Sequence, residues 1–200
     1  MSQDPQALEE LKRVVGRLAT PTIVIDGQVF VGFATNRAKI EAALKGVGGP
    51  QPAAAADRGQ ERDDEERLII QILKESKTIA VVGLSPDPSR PSHGVARYLI
   101  EQGYHVIPVN PMVNQVLGQK SYPDLAAVPE RMDVVDIFRS PEHVPPIVEA
   151  AIVKGIPTVW MQEGIINEEA ARRARDAGLR VVMDRCMMKE HFSLKHEGKL

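Results

Sequence analysis

The chain has 200 residues, with Lys+Arg 25 against Asp+Glu 27 and a formal net charge of -2. That balance supplies no general field for nucleic acid or an anionic membrane, so any anion site has to be local. Hydrophobic content of 43% and charged content of 26% exclude wholesale disorder, no run of about 18 apolar residues is present to span a membrane, and a single cysteine, Cys186, supports neither a disulfide framework nor a Cys-based zinc site.

From the start of the chain, Met1 to Pro5 show no basic stretch followed by an apolar one, so no leader is expected and the chain reads as cytoplasmic. Residues 5 to 15 place Leu8, Leu11, Val14 and Val15 at helical spacing behind Asp4 as N-cap and Pro5 at the first helical position. Thr22–Ile25 and Gln28–Val31 flank Asp26-Gly27, which predicts a tight hairpin, and a further helix is expected from Asn36 to Leu44. Residues 47–66 are rich in Gly, Pro, Ala and charge and read as a linker whose acidic end opens the next helix, near 62 to 75. The expected organisation is thus a small segment over 1–46, the linker, and one main domain over 67–200.

In that domain strand and helix signals alternate. Thr78–Val82 is a continuous apolar run of the kind buried on both faces of a sheet, followed by a polar loop and a helix over His93–Gln102. His105–Val109 is the second strand, and its Pro108 argues for an end or edge position. Asp133–Phe138, Thr158–Met161 and Arg180–Met183 are the third to fifth strands, separated by helices over 141–154 and Glu168–Ala177. The alternation predicts an α/β fold with a doubly wound, mostly parallel sheet.

Ligands of such sheets sit beyond the carboxyl ends of the strands. The first such loop carries Gly83, Ser85, Ser89, Arg90, Ser92 and His93, a set suited to phosphate: glycine permits close approach, hydroxyls donate, a helix start offers free N–H groups and arginine adds a planar fork. It is not G-x-G-x-x-G, because Ser85 stands at the second glycine position, and the second strand ends in Asn110-Pro111 where a nicotinamide site places an acid. Both departures disfavour an ordinary NAD site, and no Walker loop is present.

The segments IAVVGLSPDPSRPSHGVARYL, GYHVIPVNP, VLGQKSYPDL, DVVDIFRSPEHV, VWMQEGI and VVMDRCMM, spanning about residues 67 to 192, resemble the small CoA-binding protein family. That family shares the Rossmann-like fold of the CoA-binding domain of succinyl-CoA synthetase. The resemblance implies coenzyme A, or a short acyl-CoA, as ligand. Gly83, Leu84, Ser85, Arg90 and Ser92 would cradle its phosphates, Val109, Asn110 and Pro111 would flank the adenosine, and Phe138, Arg139, Gln162, Glu163 and Gly164 would line the rest of the groove. The synthetase's phosphorylated histidine and its ATP-grasp partner have no counterpart among these segments, so the resemblance implies binding and not acyl-CoA synthesis.

A second resemblance covers residues 4 to 45, where DPQALEEL and ATPTIVIDGQVFVGF look like the second half of a glutaredoxin, with Pro21 matching that family's cis proline. Residues 1–46 hold no cysteine, so dithiol chemistry is not expected of this half-thioredoxin segment. It is either the end of a longer glutaredoxin-like region or an element for packing or dimerisation.

Other readings stay open beside the main one. Cys186, near the pantetheine end of a bound CoA, could form a mixed disulfide or sit as a plain buried thiol. Glu163 could act as a base in a CoA-dependent enzyme, although no nucleophile or oxyanion motif accompanies it. A nucleotide-responsive regulatory domain is a third possibility. Met187 and Met188 read as core filler, Trp160 as core, His196 as part of a tail, and a homodimer through the N-terminal segment or a sheet edge is an open expectation.

Overall fold

The computed structural model describes the strands β1 (Thr22–Ile25) and β2 (Gln28–Val31) and the chain from Pro52 to Leu200, with side chains at Gln60 and from Arg62 onward. The chain divides into two compact units, Met1–Glu61 and Arg62–Leu200. In the first, β1 and β2 pair antiparallel with Ile25 opposite Gln28, the hairpin that Asp26-Gly27 predicts. The helices expected over 5–15 and 36–44, and with them the rest of the half-thioredoxin segment, lie outside the described residues.

Helix α1 runs Pro52–Glu75, ten residues longer at its start than expected. Pro52 fits a first helical position and Ala53 to Ala56 are the strongest helix formers, so most of the expected linker is helical. The order then runs β3 (Thr78–Val82), α2 (Pro91–Glu101), β4 (His105–Val109), the short β5 (Gln115–Val116) and β6 (Gln119–Lys120), β7 (Val134–Ile137), a 3₁₀ turn (Pro141–His143), α3 (Val144–Lys154), β8 (Thr158–Met161), α4 (Glu168–Asp176), β9 (Arg180–Val182) and α5 (Met187–His196).

Five strands form one parallel sheet in the order β4-β3-β7-β8-β9. The chain steps outward from β3 to β4, returns past β3 to β7, and continues outward in the opposite direction. The connections therefore diverge between β3 and β7, which opens a crevice beyond their carboxyl ends. β4 is an edge of this sheet, where Pro108 is tolerated, and Tyr122 borders it through Tyr122 N–H to Pro108 O (3.0 Å) and Asn110 N–H to Tyr122 O (2.8 Å).

Strand alternation builds a core on each face. Val82, Ile107, Val135, Ile137, Val159 and Met161 pack with Val144, Val148 and Ala151 of α3 and with Ala170, Ala171 and Ala174 of α4. Ile79, Val81, Val106, Val134, Trp160 and Val182 pack with α1, α2 and α5. Trp160 is fully buried, and its indole N–H donates to the Arg185 carbonyl at 2.7 Å, so it is core as expected and also fixes the loop after β9. Met187 likewise is fully buried, the filler its sequence suggested.

Two elements differ from expectation. The helix expected over 141–154 begins as a 3₁₀ turn, and α3 proper starts at Val144. A helix not expected from the sequence, α5, covers Met187–His196, so His196, read as part of a tail, ends a helix and stacks on Phe192 at 4.4 Å. The apolar line of α5 is Met187, His191 and Leu194, and a histidine in the middle of it hides the helical period. His191 is buried, its Nδ1 within 2.9 Å of the Tyr98 hydroxyl, with Tyr98 and Tyr104 both edge-to-face at 5.6 Å.

Candidate functional site

β3 ends at Gly83, whose N–H donates to Val109 O at 2.9 Å and whose φ is +88°. A Cβ there would stand 2.7 Å from Phe138 O, so both the backbone angle and the neighbouring strand end demand glycine. The loop that follows organises itself. Ser85 N–H donates to Ser92 Oγ (3.1 Å), Asp87 N–H to Ser85 Oγ (3.1 Å), and both Ser89 N–H and Ser89 Oγ to Asp87 Oδ1 (2.9 and 2.8 Å). These Ser89 bonds hold the Asp87 carboxyl below its ordinary range. Arg90 is the N-cap residue of α2, in extended conformation and without a side-chain capping bond, and Pro91 follows inside the helix. Pro91 has no N–H and the His93 N–H donates to Arg90 O (3.0 Å), so the Ser92 N–H is the amide at the start of α2 left to meet an anion.

The β4 end is stapled to this loop by Asn110. Its Nδ2 donates to Leu84 O (2.8 Å), while its Oδ1 accepts from Met112 N–H (2.9 Å). Beyond β7, Phe138 N–H donates to Val82 O (2.9 Å), which carries Arg139 and Ser140 over the crevice. Ser140 Oγ donates to Glu142 Oε1 (2.5 Å) and lies 2.9 Å from His143 Nδ1. The Ser140 hydroxyl, ahead of other causes, keeps the Glu142 carboxyl below its usual range.

Two cavities meet on these strand ends. One, of about 310 Å³, is walled by Val82, Val109, Pro111, Pro123, Leu125, Pro146, Ile147 and Ala150, with Asn110, Asp124, Arg139 and His143 as its polar members. The other, of about 520 Å³, is lined by Ser85, Arg90, Ser92, Phe138, Ser140 and Gly164 among others. Gly83 and Arg139 line both, so the two are halves of one groove, the end over β4 the more apolar and the end over the start of α2 carrying Ser85, Arg90, Ser92 and Ser140 among apolar walls. Each falls within the size of small-molecule sites.

Ten of the thirteen residues named from sequence line this groove: Gly83, Ser85, Arg90, Ser92, Val109, Asn110, Pro111, Phe138, Arg139 and Gly164. Three do not. Leu84 is fully buried in the α1–α2 side core and offers only its carbonyl, to Asn110. Gln162 is buried, its Nε2 donating to Asp136 Oδ1 at 2.7 Å. Glu163 stands outside both linings, paired with Lys189 Nζ at 2.5 Å. Asp124 and His143 line the groove without having been named; the placement of His143 just after the end of β7 was the available signal for it.

Behind the groove, Asp136 of β7 is fully buried between Val81 and Trp160 in the register. Burial pushes its carboxyl up to about 7, against the lowering by the Gln162 amide, and its Oδ2 has no hydrogen-bond partner among the described residues. A further cavity of about 430 Å³ lies between α1 and α5, lined by Glu65, Glu66, Arg185 and Glu190 among others. Arg185 there is already paired, lying 2.6 Å from Glu65 and 3.6 Å from Glu190. Among the described residues no cluster of three or more His, Cys, Asp or Glu is placed to hold a metal, and no helix is long and apolar enough to cross a membrane.

A parallel, doubly wound sheet with a glycine turn, a helix start and an apolar pocket at its divergence point defines the class: a Rossmann-like domain. The CoA binding domain family matches residues 77–192, and the chain belongs to that family. Its relatives include YneT of Bacillus subtilis (strain 168), an uncharacterized protein 40% identical over 127 residues, which are 64% of this chain and 94% of YneT. A hypothetical protein from Pyrococcus horikoshii OT3 has the same fold at a TM-score of 0.64 and 45% identity, covering 65% of this chain and 92% of that one. The same region is 27% identical over 100 residues to the acetate–CoA ligase (ADP-forming) II of Archaeoglobus fulgidus, 49% of this chain but 15% of the ligase. The domain is thus related to the CoA-binding part of acyl-CoA synthetases.

Proposed function

We propose that this chain binds coenzyme A, or a short acyl-CoA, reversibly in the groove and without turning it over. The observation that carries the reading is the division of one groove at Gly83 and Arg139 into an apolar end and a phosphate-suited end. The adenine base packs in the apolar end, against Val109, Pro111, Pro123 and Ile147. The diphosphate lies over the start of α2, where the Ser92 N–H, the Ser85 and Ser92 hydroxyls and Arg90 meet its charge. The pantetheine arm leaves past Phe138 and Gly164. The residues here position and neutralise a ligand, and Glu163, the base considered from sequence, is occupied by Lys189 away from the groove.

Native mass spectrometry of the purified chain with CoA, with and without reductant, tests this. A CoA per chain that survives reductant supports a noncovalent module. An adduct lost on reduction moves the reading to a Cys186 mixed disulfide, and no adduct at all overturns CoA as the ligand.

A further inference from the structure

Beside the groups that suit phosphate, the cavity over the start of α2 has an apolar wall. Phe138, Pro141 and Ile165, each partly buried, line it together with the bare backbone of Gly164. Two side-chain bonds fix this wall. Asn167 Nδ2 donates to Pro141 O at 2.9 Å, which ties the loop after β8 to the 3₁₀ turn, and Asp184 Oδ1 accepts from Gly164 N–H at 2.7 Å. Between these ties the Ile165 N–H closes a turn onto Gln162 O at 2.9 Å, and Ile165 packs against the core on the α3–α4 side. The wall is therefore preformed, and the next residue along the chain, Ile166, is a large apolar residue left 50% exposed.

The charges around the wall are of one kind or already engaged. Among the described residues, the charged side chains lining this cavity are Arg90 and Arg139, with no carboxylate beside them. A diphosphate and a ribose phosphate bring more negative charge than two guanidinium groups offset, so neither arginine is left for a further anion. Near the wall, Lys189 Nζ lies 2.5 Å from Glu163, and the Asp184 carboxylate holds Gly164. A carboxylate arriving here would lose water without gaining a cation, whereas a hydrocarbon group would leave water for Pro141 and Ile165.

We propose that the groove selects CoA carrying a short uncharged acyl group, over free CoA and over CoA carrying a dicarboxylic acyl group of equal length, and that Ile165 sets this preference. The inference rests on the CoA reading above. With the diphosphate over α2 and the pantetheine arm leaving past Phe138 and Gly164, the acyl end of the ligand is carried to Pro141 and Ile165.

Titration calorimetry of the full chain with CoA, butyryl-CoA and succinyl-CoA tests this, since the two acyl groups share a four-carbon chain and differ in ending as a methyl or a carboxylate. The wild-type chain is expected to bind butyryl-CoA about tenfold more tightly than CoA, the effect of burying roughly two methylene groups, and succinyl-CoA no more tightly than CoA. Ile165→Ser is expected to bring the butyryl-to-CoA affinity ratio close to one, and the milder Ile165→Val to give an intermediate ratio. Comparing ligands within one protein separates the preference from any loss of stability. Equal affinity of the wild type for CoA and butyryl-CoA, succinyl-CoA binding as tightly as butyryl-CoA, or a wild-type ratio in either variant overturns the inference while leaving the groove as a CoA site. Failure of all three ligands to bind overturns the CoA reading, and this inference with it.

Discussion

A Cβ on Gly83 would stand 2.7 Å from the carbonyl oxygen of Phe138, and 3.0 Å from Cδ of Arg139. The ends of β3 and β7 approach so closely that no side chain fits between them. The groove is open at this point because its floor is bare backbone. Gly83→Ala therefore has two costs, the left-handed φ and the clash, together about 2–4 kcal/mol. Chemical denaturation is expected to show that loss, and any folded fraction to bind CoA poorly. A variant with wild-type stability would mean that β3 and β7 can part, and the rigid floor would be wrong.

Arg90 is the charge nearest the start of α2 in the polar half of the groove. Arg90→Ala is expected to weaken CoA by about 1.5–3 kcal/mol, roughly ten- to a hundredfold, with the melting temperature unchanged. Arg90→Lys should recover only part of this, since an ammonium lacks the planar fork. Calorimetry that finds Ala and wild type equal in affinity removes Arg90 from the phosphate end.

The loop after β8 is held from the side by Asp184. Its carboxylate accepts from Gly164 N–H at 2.7 Å, and its own φ is +58°, a conformation that asparagine and aspartate tolerate best. Asp184→Asn keeps both the backbone and an acceptor and is expected to stay close to wild type. Asp184→Ala loses both, about 1–2 kcal/mol of stability, and frees Gly164 at the groove edge. Thermal melts with and without CoA check this: a ligand-induced rise smaller in Ala than in Asn is the expected pattern.

Much of this was legible before the structure. All five strands of the main sheet fall within a residue or two of their expected positions, because runs such as Thr78–Val82 and Thr158–Met161 leave no alternative to burial on both faces. Pro108 announced an edge, and the groove followed from the strand ends. Side-chain direction was not legible. Leu84 and Gln162 sit next to groove residues in sequence yet turn into the interior, and no local pattern distinguishes a groove wall from the core behind it. α5 was hidden by His191 on its buried line, and the early start of α1 by a Gly- and Pro-rich stretch just before it.

Asp136 gives the fold a pH dependence whose sign is set by its burial. Its folded value is raised to about 7 from 3.8, so between those values the native state holds a proton that the unfolded chain has released. Stability from this group is complete below the unfolded value, declines as pH rises through the folded one, and is lost above it. The full swing is on the order of 4 kcal/mol as an upper bound. His191 acts in the opposite sense: burial, then Lys195, lowers its value, so its contribution falls away on the acid side. Asp136→Asn carries no charge at any pH, and the Gln162 amide can reverse to accept from it. Denaturation across pH is expected to show Asp136→Asn gaining on wild type as pH rises from 3.8 to about 7 and keeping a constant lead above that. Parallel curves for the two proteins would mean that the Asp136 carboxyl is ionised and solvated in the native state, against its position in the sheet.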